Sequence, residues 1–114
     1  MNDRLLSASG LNVVALDLLR ETLAATPMLR RAWLFGSRAK GTARSNSDID
    51  IAVEGLTQSL AVESLRDRLN ELPLPYVVDV QSLENIKNAK LSEHISRCGL
   101  LLFEGKRDLR DTAV

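Results

Sequence analysis

Residues 33–53 read WLFGSRAKGTARSNSDIDIAV, with a Gly-Ser pair after one apolar run and two aspartates at the start of the next. Gly36 allows the backbone to turn sharply off a strand, and Ser37 offers a hydroxyl and an N–H group where a helix N-terminus attracts anions. Asp48 and Asp50 lie two residues apart, so on a strand both side chains leave the same face. The stretch therefore predicts a phosphate-binding turn that faces a pair of carboxylates.

The paired carboxylates predict a metal site. Two carboxylates about 5 Å apart, at an effective dielectric constant of about 20, repel by roughly 3 kcal/mol, and a divalent cation removes that repulsion. Mg²⁺ is typically held by one or two carboxylates together with water and substrate phosphates. A third acid, Asp79, interrupts the apolar run from Tyr76 to Gln81, where a lone acid is costly to bury unless it is paired or binds a cation. We predict that Asp79 joins Asp48 and Asp50 on adjacent strands in a two-metal site for phosphoryl or nucleotidyl transfer.

Simpler structural interpretations exist for several of these residues. A Gly-Ser turn often follows a strand, and isolated acids are usually solvated. The alternating Ile49 and Ile51 nevertheless favour two acids on one face of a strand. Arg38 follows the Gly-Ser turn directly, so its guanidinium could bind a triphosphate through two hydrogen bonds. For Lys40 and Arg44, a solvated surface charge is an equal alternative, and their roles are left open.

The complete pattern resembles a known superfamily. Gly36-Ser37, ten intervening residues, Asp48-Ile49-Asp50 and a later Asp79 within an apolar strand are similar to the DNA polymerase β-type nucleotidyltransferases. The short chain and the run Gly36-Ser37-Arg38-Ala39-Lys40-Gly41 more narrowly resemble the minimal nucleotidyltransferases (MNT), the antitoxins of HEPN/MNT toxin–antitoxin pairs. The resemblance extends over residues 11–104. It implies an antitoxin of a type VII-like system, which transfers AMP from ATP to a tyrosine of its cognate HEPN ribonuclease toxin.

The resemblance and the residues together predict a set of functional roles. Asp48, Asp50 and Asp79 are the predicted catalytic residues and the ligands of two Mg²⁺ ions. The predicted ATP site consists of Gly36, Ser37, Arg38, Asp48 and Asp50. Two alternatives stay open: an antitoxin that only binds its toxin without catalysis, and a small-molecule nucleotidyltransferase, similar to the aminoglycoside-modifying enzymes, that works with a separate helical subunit.

The amino-acid composition limits which other partners and locations are expected. The 114 residues carry 15 basic and 15 acidic side chains, so no global charge attracts the chain to nucleic acid or to an anionic membrane. The sequence has no apolar stretch long enough to span a bilayer and no secretory signal pattern at its start. Cys98 is the single cysteine, which excludes an internal disulfide. We therefore expect a cytoplasmic protein with a nucleoside triphosphate and a HEPN toxin as partners, without direct nucleic acid or membrane binding.

Apolar periodicity and turn residues predict the fold class. We expect an α/β (α+β) polymerase β-type nucleotidyltransferase fold, with a small mixed sheet of three to four strands flanked by helices. Residues 1–114 form one domain, with a core at 11–104 and a polar tail at 106–114. The first two strands are predicted to be antiparallel neighbours, because their connection is short, while the direction of the third is open. Predicted strands are 31–35, 48–53, 76–81 and 100–103.

Several local predictions concern the last helix and its ends. Ser82 is a candidate N-cap for a helix that is interrupted near Lys90. Cys98 is predicted to face inward, and Gly99 to end the helix in the left-handed conformation.

Overall fold

The computed structural model describes residues 9–41 and 47–105 of the chain. Arg44 and the predicted tail at 106–114 lie outside the described residues. The elements follow the order α1 (Val13–Ala24), β1 (Arg31–Phe35), α2 (Ser37–Lys40), β2 (Ile49–Glu54), α3 (Ser59–Asn70), β3 (Val78–Ser82), a 3₁₀ turn (Leu83–Asn85), α4 (Ala89–Cys98) and β4 (Leu100–Glu104). Within the described ranges, no helix is both long and apolar enough to cross a bilayer.

The four strands form one mixed sheet in the order β3-β2-β1-β4. β1 pairs antiparallel with β2 and with β4, and β2 pairs parallel with β3. The predicted α/β architecture and the antiparallel pairing of the first two strands are therefore confirmed. The open direction of the third strand is settled as parallel, because α3 carries the chain back to the end of the sheet where β2 began.

The sheet has two different faces. The first, which we call the core face, carries Leu34, Ile51 and Val80 and is packed against α1 and α3. The second, which we call the acid face, carries Phe35 and Ala52 at its apolar part, where Ile95 of α4 covers it. Along each strand the side chains alternate between these faces, so an acid placed between two core-face residues lies on the acid face.

The helix before β4 differs from the prediction at its start. The predicted N-cap residue, Ser82, ends β3, and a short 3₁₀ turn follows it. α4 begins at Ala89, where the side chain of Asn88 accepts hydrogen bonds from the N–H groups of Lys90 and Leu91 at 3.0 and 3.3 Å. Asn88 thus caps α4, whereas Ser82 is the N-cap residue of the preceding 3₁₀ turn without a capping hydrogen bond from its side chain. The break between the 3₁₀ turn and α4 agrees with the predicted interruption near Lys90.

The end of α4 also differs from the prediction. Gly99 has φ −65° and ψ 146°, so it is extended and leads directly into β4 instead of adopting the left-handed conformation. Glycine is required there by close packing, because a Cβ would lie 2.6 Å from the carbonyl oxygen of Ile95. The prediction that Cys98 faces inward is wrong, since the residue is exposed.

Candidate active site

The Gly-Ser turn lies directly against one of the predicted catalytic acids. Gly36 follows the last residue of β1 with φ 74° and ψ −152°, a conformation that side chains with a Cβ rarely adopt. A Cβ at this position would lie 2.6 Å from Oδ2 of Asp50. The carbonyl of Gly36 accepts hydrogen bonds from Ala39 and Lys40, and so begins the single helical turn α2 with Ser37 as its first residue. The absence of a side chain at Gly36 is therefore what allows the turn to approach the acid.

Strand register brings two of the acids side by side. Phe35 pairs with Asp50 across β1 and β2, and Asp50 pairs with Asp79 across β2 and β3. Both acids alternate with core-face residues, so both lie on the acid face. Asp48 directly precedes β2 and is exposed. The structure thus places the predicted acids at one end of the sheet, beside the Gly36 turn.

Asp50 lies within electrostatic range of both Asp79 and Asp48. Burial raises the pKa of the Asp50 carboxyl above its ordinary value, and the negative charges of Asp79 and then Asp48 raise it further. A divalent cation beside Asp50 would act in the opposite direction, because it stabilises the carboxylate. The negative charge of the Asp50 carboxylate is therefore poorly compensated by the protein groups around it.

The donor set suits Mg²⁺ with a nucleotide better than Mg²⁺ alone. Across residues 9–41 and 47–105, no three or more His, Cys, Asp or Glu side chains are arranged to hold a metal ion by themselves. Two carboxylates are nevertheless a common protein contribution to Mg²⁺, with phosphates and water completing the shell. Asp48 and Asp50 match that pattern, and their binding of metal stays a prediction.

Asp79 has a cationic partner that the sequence pattern did not indicate. Nε of Arg66, on α3, lies 3.2 Å from Oδ1 of Asp79. Arg66 lies off the buried stripe of α3, which consists of Val62, Leu65 and Leu69, so helical periodicity alone predicts a solvated side chain. No periodicity argument identifies this contact, because it depends on how α3 is placed against the edge of the sheet. Binding of a metal by Asp79 would have to coexist with this ion pair or replace it.

Arg38 occupies an internal position rather than the surface of the site. Its side chain is 1% exposed, and its guanidinium stacks on the ring of Tyr76 at 4.5 Å. Nη1 donates to the carbonyl of Ser9 at 2.7 Å, and Nη2 donates to the carbonyl of Ser47 at 2.8 Å. The predicted binding of phosphate by Arg38 does not fit this arrangement, because the donors that would bind phosphate already bond to backbone carbonyls.

Arg38→Ala is expected to lower the free energy of unfolding by about 3 kcal/mol, since it removes the hydrogen bonds to the carbonyls of Ser9 and Ser47 and empties a buried site. Urea unfolding followed by circular dichroism measures this change. Lys40→Ala removes an exposed cation from the same helical turn and should change stability by less than about 0.5 kcal/mol. A fully stable Arg38→Ala protein with greatly weakened ATP binding would instead support the original phosphate-binding prediction.

Comparisons with known proteins agree with this geometry. The family model described as Polymerase beta, Nucleotidyltransferase matches residues 18–108. A probable protein adenylyltransferase MntA from Haemophilus influenzae is 42% identical over 50 residues, which cover 42% of this chain and 44% of that protein. The matched stretch thus spans less than half the length of this relative.

Solved structures of toxin–antitoxin complexes are also similar. A chain from a toxin–antitoxin crystal structure with AMP-PNP is 30% identical, with a TM-score of 0.63, covering 90% of this chain and 80% of that chain. A chain from the complex of a tri-AMPylated Shewanella oneidensis HEPN toxin with its MNT antitoxin is 26% identical, with a TM-score of 0.54 and coverage of 85% and 70%.

Proposed function

This chain belongs to the polymerase beta nucleotidyltransferase family, and on that premise we propose that it is an MNT-type antitoxin that transfers AMP from ATP to a tyrosine of a HEPN-type toxin. The observation that carries the proposal is the position of Gly36, whose missing Cβ lets a turn lie against Asp50, with Asp79 next to it in the sheet. The Gly36 turn and the two acids thus lie next to each other. Nucleotidyl transfer requires this arrangement of a phosphate-binding site and a metal site.

ATP binding is assigned to the turn and the two acids nearest to it. The distal phosphates of ATP lie against the backbone of Gly36 and Ser37, at the start of α2. Asp48 and Asp50 would hold two Mg²⁺ ions, which would supply positive charge against the phosphates and against the charge that develops at the reacting phosphorus. The raised pKa of Asp50 supports this assignment, because a carboxylate with poorly compensated charge favours a bound cation.

Proton removal is assigned to Asp79. Its carboxylate accepts the proton of the attacking tyrosine hydroxyl as the oxygen bonds to the α-phosphorus of ATP. The bond from the α-phosphorus to the bridging oxygen then breaks, and pyrophosphate leaves with that oxygen. Asp79 suits this role because it lies beside Asp50 on the acid face and is partly exposed to an incoming acceptor.

The acceptor is proposed to be a separate protein. Two similar solved structures are toxin–antitoxin complexes, and the toxin in one of them carries AMP. A free, exposed thiol at Cys98 is compatible with the reducing cytoplasm, where we place the reaction.

Intact mass spectrometry tests the proposal directly. The protein is incubated with ATP, Mg²⁺ and the HEPN-type protein encoded next to it, and both chains are then weighed. We expect one or more AMP increments on the HEPN-type protein, and none after EDTA treatment.

Two outcomes, one of this experiment and one of its repeat with radioactive ATP, contradict the proposal. Tight binding and toxin neutralisation without any mass increment, with or without EDTA, would indicate an antitoxin that only binds. Radioactive label from ATP on a low-mass acceptor, with both proteins unlabelled, would indicate a small-molecule nucleotidyltransferase.

A further inference from the structure

Arg66 reaches from one side of the sheet to the other. α3, which carries it, packs on the core face through Val62, Leu65 and Leu69. Asp79 lies on the opposite, acid face, yet Nε of Arg66 is 3.2 Å from its Oδ1. The side chain must therefore pass around the outer edge of β3, which is an edge strand of the sheet.

The same helix holds the backbone of β3 on both sides of Asp79. Nη2 of Arg66 donates to the carbonyl of Val80 at 2.8 Å. One helical turn further on, Nδ2 of Asn70 donates to the carbonyl of Val78 at 2.8 Å, and Oδ1 of Asn70 accepts from the N–H of Val78 at 2.9 Å. The residues before and after Asp79 are thus both bonded to α3, which limits how far the strand edge can move.

Stability alone does not account for the ion pair between Arg66 and Asp79. The two side chains are 36% and 47% exposed, and ion pairs at such exposure contribute little to folding. Position is a better explanation, because Asp79 lies beside Asp50, whose like charge repels it from the acid face. A cation anchored on the backbone of the next residue opposes that repulsion.

We propose that Arg66 is the positioning residue for Asp79: its ion pair with Oδ1 restrains the carboxylate and leaves Oδ2 to accept the hydroxyl proton. This inference rests on the proposed function and deepens it. In this proposal Arg66 contacts neither ATP nor the acceptor, and it acts only through the carboxylate that it orients.

Steady-state kinetics of AMP transfer tests this role. Arg66→Ala should lower kcat about 30-fold and leave the KM for ATP within about twofold, because general-base efficiency depends on geometry and ATP binding does not involve Arg66. Arg66→Lys should recover part of the loss, since its ammonium can still pair with Asp79. Arg68→Ala is the matched control, because Arg68 is on the same helix and donates to Thr26 at 3.1 Å; its kcat should equal that of the wild type.

A double variant separates positioning from direct participation. If Arg66 acts only through Asp79, the variant with both Arg66→Ala and Asp79→Asn should be no slower than Asp79→Asn alone. If the double variant instead shows the product of the two single losses in kcat, or if Arg66→Ala greatly raises the KM for ATP, the inference is overturned. Arg66 would then be placed at the phosphates.

The two proposals fail in different ways. An active wild-type protein whose Arg66→Ala variant has an unchanged kcat overturns only the role of Arg66. A wild-type protein that transfers no AMP to any acceptor overturns the proposed function, and the inference falls with it.

Discussion

Asp50→Asn is expected to lower the rate of AMP transfer by about 1,000-fold, a larger effect than we expect from any other single substitution in the chain. The amide lacks the charge that holds a divalent cation, and Asp50 is the acid that lies against the Gly36 turn. The residual rate is measured by intact mass spectrometry of the acceptor over time. Asp67→Asn, the same chemical change at an exposed position of α3, should leave the rate unaltered.

Asp50→Asn should also make the metal-free protein more stable at neutral pH. Burial and neighbouring acids raise the pKa of Asp50 in the folded state above its ordinary value of 3.8, so folding favours the protonated form. The contribution of Asp50 to the free energy of unfolding is therefore lost as pH rises from 3.8 through the higher pKa of the folded state, and this loss is complete above that pKa. The variant lacks this loss, so at pH 7 we expect its free energy of unfolding without metal to exceed that of the wild type.

Thermal unfolding in EDTA at several pH values measures that gain. The difference in Tm between Asp50→Asn and wild type should be small at the lowest pH and should grow as pH rises. A difference that stays constant with pH would contradict the electrostatic cause. Unchanged AMP transfer by Asp50→Asn would contradict the assignment of Asp50 to the metal site.

Gly36→Ala is expected to lower AMP transfer about 100-fold. The new Cβ would lie 2.6 Å from Oδ2 of Asp50, so either the turn or the carboxylate must move. The positive φ of 74° adds backbone strain, and we expect the free energy of unfolding to fall by about 2 kcal/mol. Transfer kinetics and urea unfolding measure the two effects separately.

Gly10→Ala is the matched control for Gly36→Ala. Gly10 has nearly the same φ, 72°, but the nearest atom to its added Cβ is Nη1 of Arg38 at 3.4 Å, away from the acids. This variant should lose comparable stability through backbone strain while the folded protein keeps its transfer rate. Equal transfer rates for the two variants would show that contact between the turn and Asp50 is unimportant.

Local sequence patterns predicted the elements that position the site. Apolar periodicity indicated the helices, and the strands were predicted to within two residues at each end. The antiparallel pairing of β1 and β2 could be predicted because a short connection leaves few other arrangements. The predictions that Cys98 faces inward and that Gly99 is left-handed were wrong, and Ser82 begins only a 3₁₀ turn ahead of α4. Each of these predictions depended on the exact point where a helix begins or ends and on what packs there.

The amino-acid sequence by itself determined the fold class and the position of the Gly36 turn beside the Asp48 and Asp50 pair, since both follow from short-range spacing on adjacent strands. Only the tertiary structure decided what the side chains of Arg38 and Arg66 contact. Arg38 bonds to Ser9, 29 residues away, and Arg66 reaches Asp79 around a sheet edge. A long cationic side chain bonds to whatever acceptor the packed chain places within its reach, and residue spacing along the chain does not encode that choice.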